Sequence, residues 1–245
     1  MDRPDTWGID GDILLYEVGF ASNEDPVEFA CHSLRQRVQG VMDGCECKQA
    51  QLFLTGSTNF RNELSSTYKG NRKDVDKPVH FDALKRYAIE ELDAIVSENE
   101  EADDLLGIHA VRDGWGIATL DKDLDGVPGW HYVWKGKREG MYHVTDVEAD
   151  RFFYTQMLTG DPTDNIPGLF KMVGVKALAK TKAPLQDMTD PADMYAYVRS
   201  VYADGYDAVG LCPDEKEEVL TNWLTRIGGQ LWIRRAEGEV YAPPC

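Results

Sequence analysis

The sequence has no apolar run of membrane-spanning length, and its first residues, MDRPDTWGID, are acidic where a secretory leader would be basic. That predicts a soluble, intracellular chain that works in the cytoplasm and has no membrane partner. Cysteine is scarce and unpatterned. Of the five, Cys45 and Cys47 stand one residue apart, too close for the usual zinc pair, and Cys245 is a tail residue. An odd set without regular spacing argues against a disulfide framework and leaves ordinary thiols. Repeats and low-complexity segments are absent, and 42% hydrophobic residues argue against wholesale disorder. The scarcity with most consequence is positive charge: 26 Lys and Arg face 43 Asp and Glu, a net charge of −17. A chain of that charge repels phosphate as a whole. Either it binds no nucleic acid, or its acids gather around divalent cations while its basic residues segregate elsewhere.

What is present decides between these. A chain of 245 residues suits one large domain, or a core domain with a smaller partner. Apolar β-type runs end abruptly at acidic or small residues. Trp7–Asp10 runs into Asp-Gly-Asp, Gln49–Thr55 into Gly-Ser, and Gly116–Leu120 into Asp121; His131–Trp134 is a fourth run. Helical patterns lie between them, at about 25–42, 81–91 and 100–112. Strands alternating with helices predict an α/β fold with a parallel, doubly wound sheet, whose ligands collect beyond the C-terminal strand ends. After about Arg151 helical patterns take over, at about 151–158, 173–180, 191–201 and 214–227, with a short hairpin expected from Leu231–Arg235 and Glu239–Tyr241. The polar stretch Asn59–Lys77 reads as a long excursion from the sheet.

The acids sit at the strand and helix ends. Asp10 and Asp12 follow the first strand in IDGD, and an extended chain points both to one side. Turn chemistry explains that pair equally well. Glu101 and Asp104, with Asp103 between, share a helix face in EEADD. Acids in a first helical turn also complement the helix dipole, but the interleaved Ala102, Leu105 and Leu106 set this helix end against the core, where carboxylates need partners. Asp121 and Asp123 follow the third strand in TLDKDLDG. Asp161 and Asp164 lie in GDPTDNIPG, where helix capping is a good alternative. Each group has a bland explanation; four at once do not. At about 4 Å and an effective dielectric near 20, two carboxylates repel by about 4 kcal/mol. Many of them near one pocket call for cations, and oxygen ligands alone suit Mg²⁺ or Mn²⁺ rather than zinc. Two such ions serve phosphodiester displacement.

The order IDGD, FRNELSSTYKGNRK, EEADD, TLDKDLDG, GDPTDNIPG resembles the flap endonuclease family of 5′ nucleases, and looks closest to the small stand-alone 5′-to-3′ exonucleases of tailed phages. The resemblance runs from about Gly8 to Lys182. It implies a PIN-like or resolvase-like sheet in a catalytic domain over 1–155, with a helical arch over about 59–77. A helical DNA-binding domain over 156–245, containing a helix–three-turn–helix element, would follow. It implies that Asp10, Glu101, Asp103 and Asp121 hold a catalytic metal, and that Asp104, Asp123, Asp161 and Asp164 hold or orient a second, with Asp12 as an additional metal candidate. Lys69 and Arg72 match basic residues on the scissile phosphate, although a solvated loop explains them on sequence grounds alone. Tyr68 matches a ring that stacks on a terminal base. Lys171, Gly174, Lys176 and Lys180 match the duplex-gripping hairpin, where the family also binds K⁺. The stretch Asn165–Gln186 holds four lysines and no acid, which answers the charge puzzle.

Two departures stand out. Gly56 replaces an Asp frequent in relatives, and the family's Gly-x-Gly appears as Met172-Val173-Gly174, with a one-residue insertion in the motif. The implied partners are DNA with a 5′ end or flap, an RNA–DNA hybrid, and replisome proteins. The implied role is phage replication by a free-standing nuclease, since bacterial homologues continue into a polymerase. Two rival readings use some of the same residues. A haloacid-dehalogenase-type phosphatase would use Asp10 and Asp12 but leaves EEADD and DKD unexplained. A non-catalytic junction binder gains nothing from so many acids.

Overall fold

The computed structural model describes residues 2–72, 76–169, 180–207 and 213–244. They divide into two compact units, each discontinuous in sequence. The first comprises Met1–Asn59, Val75–Thr145 and Ile233–Glu239; the second comprises Phe60–Asp74, Asp146–Trp232 and Val240–Cys245. The switch at Thr145/Asp146 precedes helix Asp146–Thr159, whereas the expected boundary at 155/156 falls inside that helix.

The first unit is an α/β sandwich. Strands β1 (Thr6–Asp10), β2 (Gln49–Leu54), β3 (Ile95–Val96), β4 (Gly116–Ala118), β5 (Gly129–Val133) and β6 (Gly140–Val144) form one sheet in the order β3-β2-β1-β4-β5-β6. All neighbours are parallel except β5 and β6, an antiparallel hairpin. Successive residues of β1 point to alternate faces, and Trp7, Gly8, Ile9 and Asp10 are all buried, as a central parallel strand requires. Helices α1 (Gly11–Ala21), α2 (Val27–Cys45) and α4 (Phe81–Glu91) share one apolar cluster with the sheet. Helix α5 (Ala102–Asp113) packs Ala102, Leu106 and Ala110 with Phe53, Ile117 and Ile233 in a second cluster. Gly114 ends α5 at φ 70°, a left-handed stop that suits glycine.

The sheet direction changes between β1 and β4, since the chain passes outward to β2 and β3 and then returns to the other side. The C-terminal ends of β1 and β4 therefore flank the topological switch point, where open α/β sheets bind ligands. Asp10 ends β1, and Asp121 follows β4.

The four expected strands of the sheet are present. Helix α1 was not expected: ILLYEVGFA is apolar on nearly every side, so it carries little helical periodicity. Its Leu14, Leu15, Val18 and Gly19 are buried. The expected C-terminal hairpin is not formed. Arg234, Arg235 and Glu239 instead close a turn in which the Glu239 carboxylate accepts from Arg235 N–H at 2.6 Å, and Arg234 Nε donates to Glu239 O at 2.9 Å. Side-chain bonds here take the place of a strand ladder.

The second unit is mainly helical. Helices α6 (Asp146–Thr159), α7 (Pro191–Asp207) and α8 (Pro213–Leu231) enclose a core that includes Phe153, Met157, Met194, Val198, Leu220 and Leu224. A two-residue hairpin, β7 (Gly160–Asp161) with β8 (Ile166–Pro167), leads out of α6. The short helix α3 (Arg61–Leu64) belongs to this unit as well. Its Arg61 is buried and donates to Gln230 O at 3.0 Å and Trp232 O at 2.7 Å, satisfying carbonyls at the end of α8. The helical pattern expected over 173–180, Lys180 apart, and the helix–three-turn–helix element from residue 170 to 179 lie outside the described residues. No described helix is long and apolar enough to cross a membrane.

Candidate active site

In the first unit four elements bring acids to the C-terminal end of the sheet. Asp10 caps α1: its Oδ1 accepts from Ile13 N–H at 3.2 Å and its Oδ2 from Thr119 Oγ1 at 2.8 Å. The strand thus turns directly into the helix, which is why Asp10 is only 3% exposed. Burial first, and then the charge of Asp12, push the Asp10 carboxyl up from 3.8 to about 7; Asp121 pushes the same way, against the bonds from Thr119 and Ile13. Asp12 is raised by burial and by Glu101, against hydrogen bonds from Thr55 and the charge of Lys85. Asp12 and Asp121 thus act on Asp10 as like charges, and Glu101 acts so on Asp12.

The other acids of this unit have local partners. Asp121 Oδ1 accepts from Asp123 N–H at 2.9 Å, and Asp121 N–H donates to Thr119 Oγ1 at 3.0 Å. Asp123 pairs with Lys122 at 2.7 Å. Asp104 is fully buried. Its Oδ2 accepts from Glu101 N–H at 3.0 Å, closing the start of α5, and its Oδ1 accepts from Arg234 N–H at 3.0 Å. Glu101 is buried and Asp103 half-buried at that helix start. Among the described residues no three acidic side chains close on a single point. Local donors hold Asp10, Asp12, Asp104 and Asp121 apart, as like charges demand when protein groups alone surround them.

The donor set fits divalent magnesium or manganese. It is all oxygen, and within it the Asp10 carboxylate is buried where ionisation is opposed by its acidic neighbours. A bound dication removes that opposition. Gly56 accounts for the missing acid. A Cβ at that position would lie 2.1 Å from Ser97 O, while Gly56 N–H donates to Ser97 Oγ at 3.1 Å, so β2 and the chain after β3 are too close for any side chain.

In the second unit, Asp161 and Asp164 share the turn between β7 and β8. Asp161 is buried and accepts from Thr163 N–H at 2.7 Å. Asp164 faces cations: Arg72 Nη2 lies 2.6 Å from Oδ1, and Lys69 Nζ 3.5 Å from Oδ2. The expected arch segment is thus anchored to this turn, helped by Lys69 N–H on Asp164 O at 2.9 Å and by Asn71 on the carbonyls of Pro162 and Thr163. The expectation for Tyr68 is corrected. Its ring is 5% exposed inside the apolar core of this unit, with its hydroxyl donating to Asp164 at 3.2 Å. A ring so enclosed has no face for a base, and its buried O–H needs the carboxylate. Lys180 is exposed; Lys171, Gly174 and Lys176 lie outside the described residues.

Sequence reasoning missed Thr55, Lys85 and Thr119. Lys85 left a readable signal. It occupies the core-facing stripe 81, 84, 85, 88 of α4, where a charge is out of place unless it has a partner. The two threonines left none.

No family model matches the chain. Among curated proteins, DNA polymerase I of Streptococcus pneumoniae serotype 4 is 30% identical over 151 residues, covering 51% of this chain and 17% of the polymerase, so the match spans only a small part of that relative. Among solved structures, a bacteriophage T5 flap endonuclease in complex with DNA and metal ions aligns with a TM-score of 0.51 at 16% identity, over 91% of this chain and 99% of that one. A T5 5′-exonuclease with bound zinc aligns at 0.50 and 18% identity, over 91% and 99%. The catalytic core of Rad2 with DNA substrate aligns at 0.51 and 14% identity, over 90% and 73%. This chain has the fold of the flap endonucleases and 5′-to-3′ exonucleases, the family that its motifs resemble.

Proposed function

We propose that the chain is a metal-dependent hydrolase of DNA, a 5′-to-3′ exonuclease and flap endonuclease using two Mg²⁺ or Mn²⁺ ions. The observation that supports it most is the buried Asp10 carboxyl, opposed by Asp12 and Asp121 at the switch point of the sheet, on a fold shared with structures solved with metal ions and DNA. Asp10, Glu101, Asp103 and Asp121 would hold the catalytic ion. Asp123, Asp161 and Asp164 would serve the second, with Asp104 orienting the start of α5 through its backbone bonds. Bound ions supply electrostatic stabilisation of the charge that develops on the phosphate. Lys69 and Arg72 add positive charge on the same phosphate. Lys171, Gly174, Lys176 and Lys180 grip the duplex, with K⁺ in the hairpin. DNA with a 5′ end or flap is the substrate. An RNA–DNA hybrid, replisome partners and a place in phage DNA replication extend the same reading.

The test is turnover of a 5′-labelled flap DNA with Mg²⁺ and with EDTA, beside binding in Ca²⁺. Cleavage that requires Mg²⁺ is expected. Binding without cleavage would make the chain a junction binder. Hydrolysis of a small phosphomonoester with no strand scission would make it a phosphatase.

A further inference from the structure

Thr55 makes four hydrogen bonds to three partners, and each partner belongs to a different element. Its backbone N–H donates to Asp12 Oδ2 at 3.0 Å, and its hydroxyl bonds to the same carboxylate. Its carbonyl accepts from Lys85 Nζ at 2.7 Å. Its Oγ1 also accepts from Ala102 N–H at 3.0 Å. Ala102 is the first residue of α5, and its N–H is one of the helix-start donors that the helix itself leaves unsatisfied. Glu101 and Asp103 flank it on either side. The half-buried Lys85 places its charge beside Asp12.

We propose that Asp12 and Lys85 are positioning residues that clamp Thr55, and that Thr55 thereby fixes the start of α5 and its metal-binding carboxylates. On this view Asp12 is not a metal ligand. An acid at the end of β1 can be tolerated here because a lysine from α4 and two donors of Thr55 satisfy it. The clamp ties together the starts of α1 and α5, the body of α4 and the end of β2. It lies where the close contact of Gly56 with Ser97 keeps the family's usual acid out.

The word positioning rests on the nuclease reading, but the clamp itself does not, so the test has two arms. The first is amide exchange at Ala102 in metal-free protein. Thr55→Val should raise it about tenfold, the loss of one hydrogen bond, while Thr55→Ser should leave it near wild type. Unchanged exchange in Thr55→Val would overturn the clamp whether or not the chain is a nuclease. The second arm is Mn²⁺ binding without DNA, followed by electron paramagnetic resonance. Asp12→Asn keeps an acceptor for Thr55 and should retain the wild-type number of ions with affinity within about threefold. Thr55→Val and Lys85→Met remove no ligand, yet should weaken binding about tenfold, the size of a lost outer-sphere partner. Loss of one ion from Asp12→Asn would make Asp12 a ligand and overturn the proposal. Absence of Mn²⁺ from the wild type would sink the nuclease reading instead, and leave the exchange result to decide the clamp.

Discussion

The acids of the two units are held in opposite ways. In the first unit Asp10 is buried beside Asp12 and Asp121, and half-buried Asp12 feels Glu101, so that both carboxyls are driven toward protonation. In the second, Asp164 has Arg72, Lys69 and the hydroxyl of Tyr68 on its oxygens. Asp10 is opposed by acids, and Lys85 only partly offsets the opposition to Asp12; Asp164 is already supplied with positive charge from its own unit. The difference shows that counting acids overstates a metal site. What marks a cation site is carboxylates whose neighbours oppose their charge, and the first unit has that character more strongly than the second.

The largest expected effect tests the first set. Asp121→Asn and Asp103→Asn should each lower flap cleavage by about a thousandfold, with DNA binding in Ca²⁺ little changed. Near-normal turnover by either variant would remove that residue from the metal centre. Next comes Lys69→Ala. If the second unit's cations also serve the phosphate, single-turnover cleavage should fall about a hundredfold while affinity holds. An affinity loss without a rate loss would make Lys69 a binding residue only.

The third prediction concerns pH. The folded Asp10 carboxyl, near 7, lies above the ordinary 3.8, so the native state holds an extra proton between those values. Without metal, its contribution to stability falls as pH rises from about 4 to 7. Buried His131 runs the other way: burial lowers it from 6.5 to about 4, so its contribution rises with pH over that window. The Asp10→Asn variant separates them. In EDTA its melting temperature, relative to wild type, should climb between pH 4 and 7 and level off above; a constant difference would show that Asp10 is not strained by charge. The smallest effect belongs to the neutralised set. Arg72→Ala should cost about 1 kcal/mol in a urea melt, and less at high salt, because the arginine is largely exposed. A loss several times larger would mean that the pair anchors the arch segment more firmly than its exposure suggests.

Much of the fold was legible because the signals were local. Apolar β-type runs located β1, β2, β4 and β5, and the acids at their ends were visible from the same pattern. Helix α1 was hidden by an apolar surface on nearly all sides, and β3 by a length of two residues. The hairpin strand β6 carries no full burial before Val144, so alternation did not mark it.

The sequence by itself determined the composition of the site: which acids exist, their order, and their place at element ends, because backbone periodicity and turn chemistry act over a few residues. It also determined that lysines collect without acids between Asn165 and Gln186. Only the tertiary structure decided what each acid does. Asp104 became a structural acceptor because Arg234, distant in sequence, folds its N–H against it. Tyr68 became core because the residues that enclose it come from helices far along the chain. Asp12 met Thr55 and Lys85 across two other elements. Burial and charge neighbourhood are properties of distant contacts, and they, rather than residue type, set whether a carboxylate is a helix cap, half of an ion pair, or a charge in need of a cation.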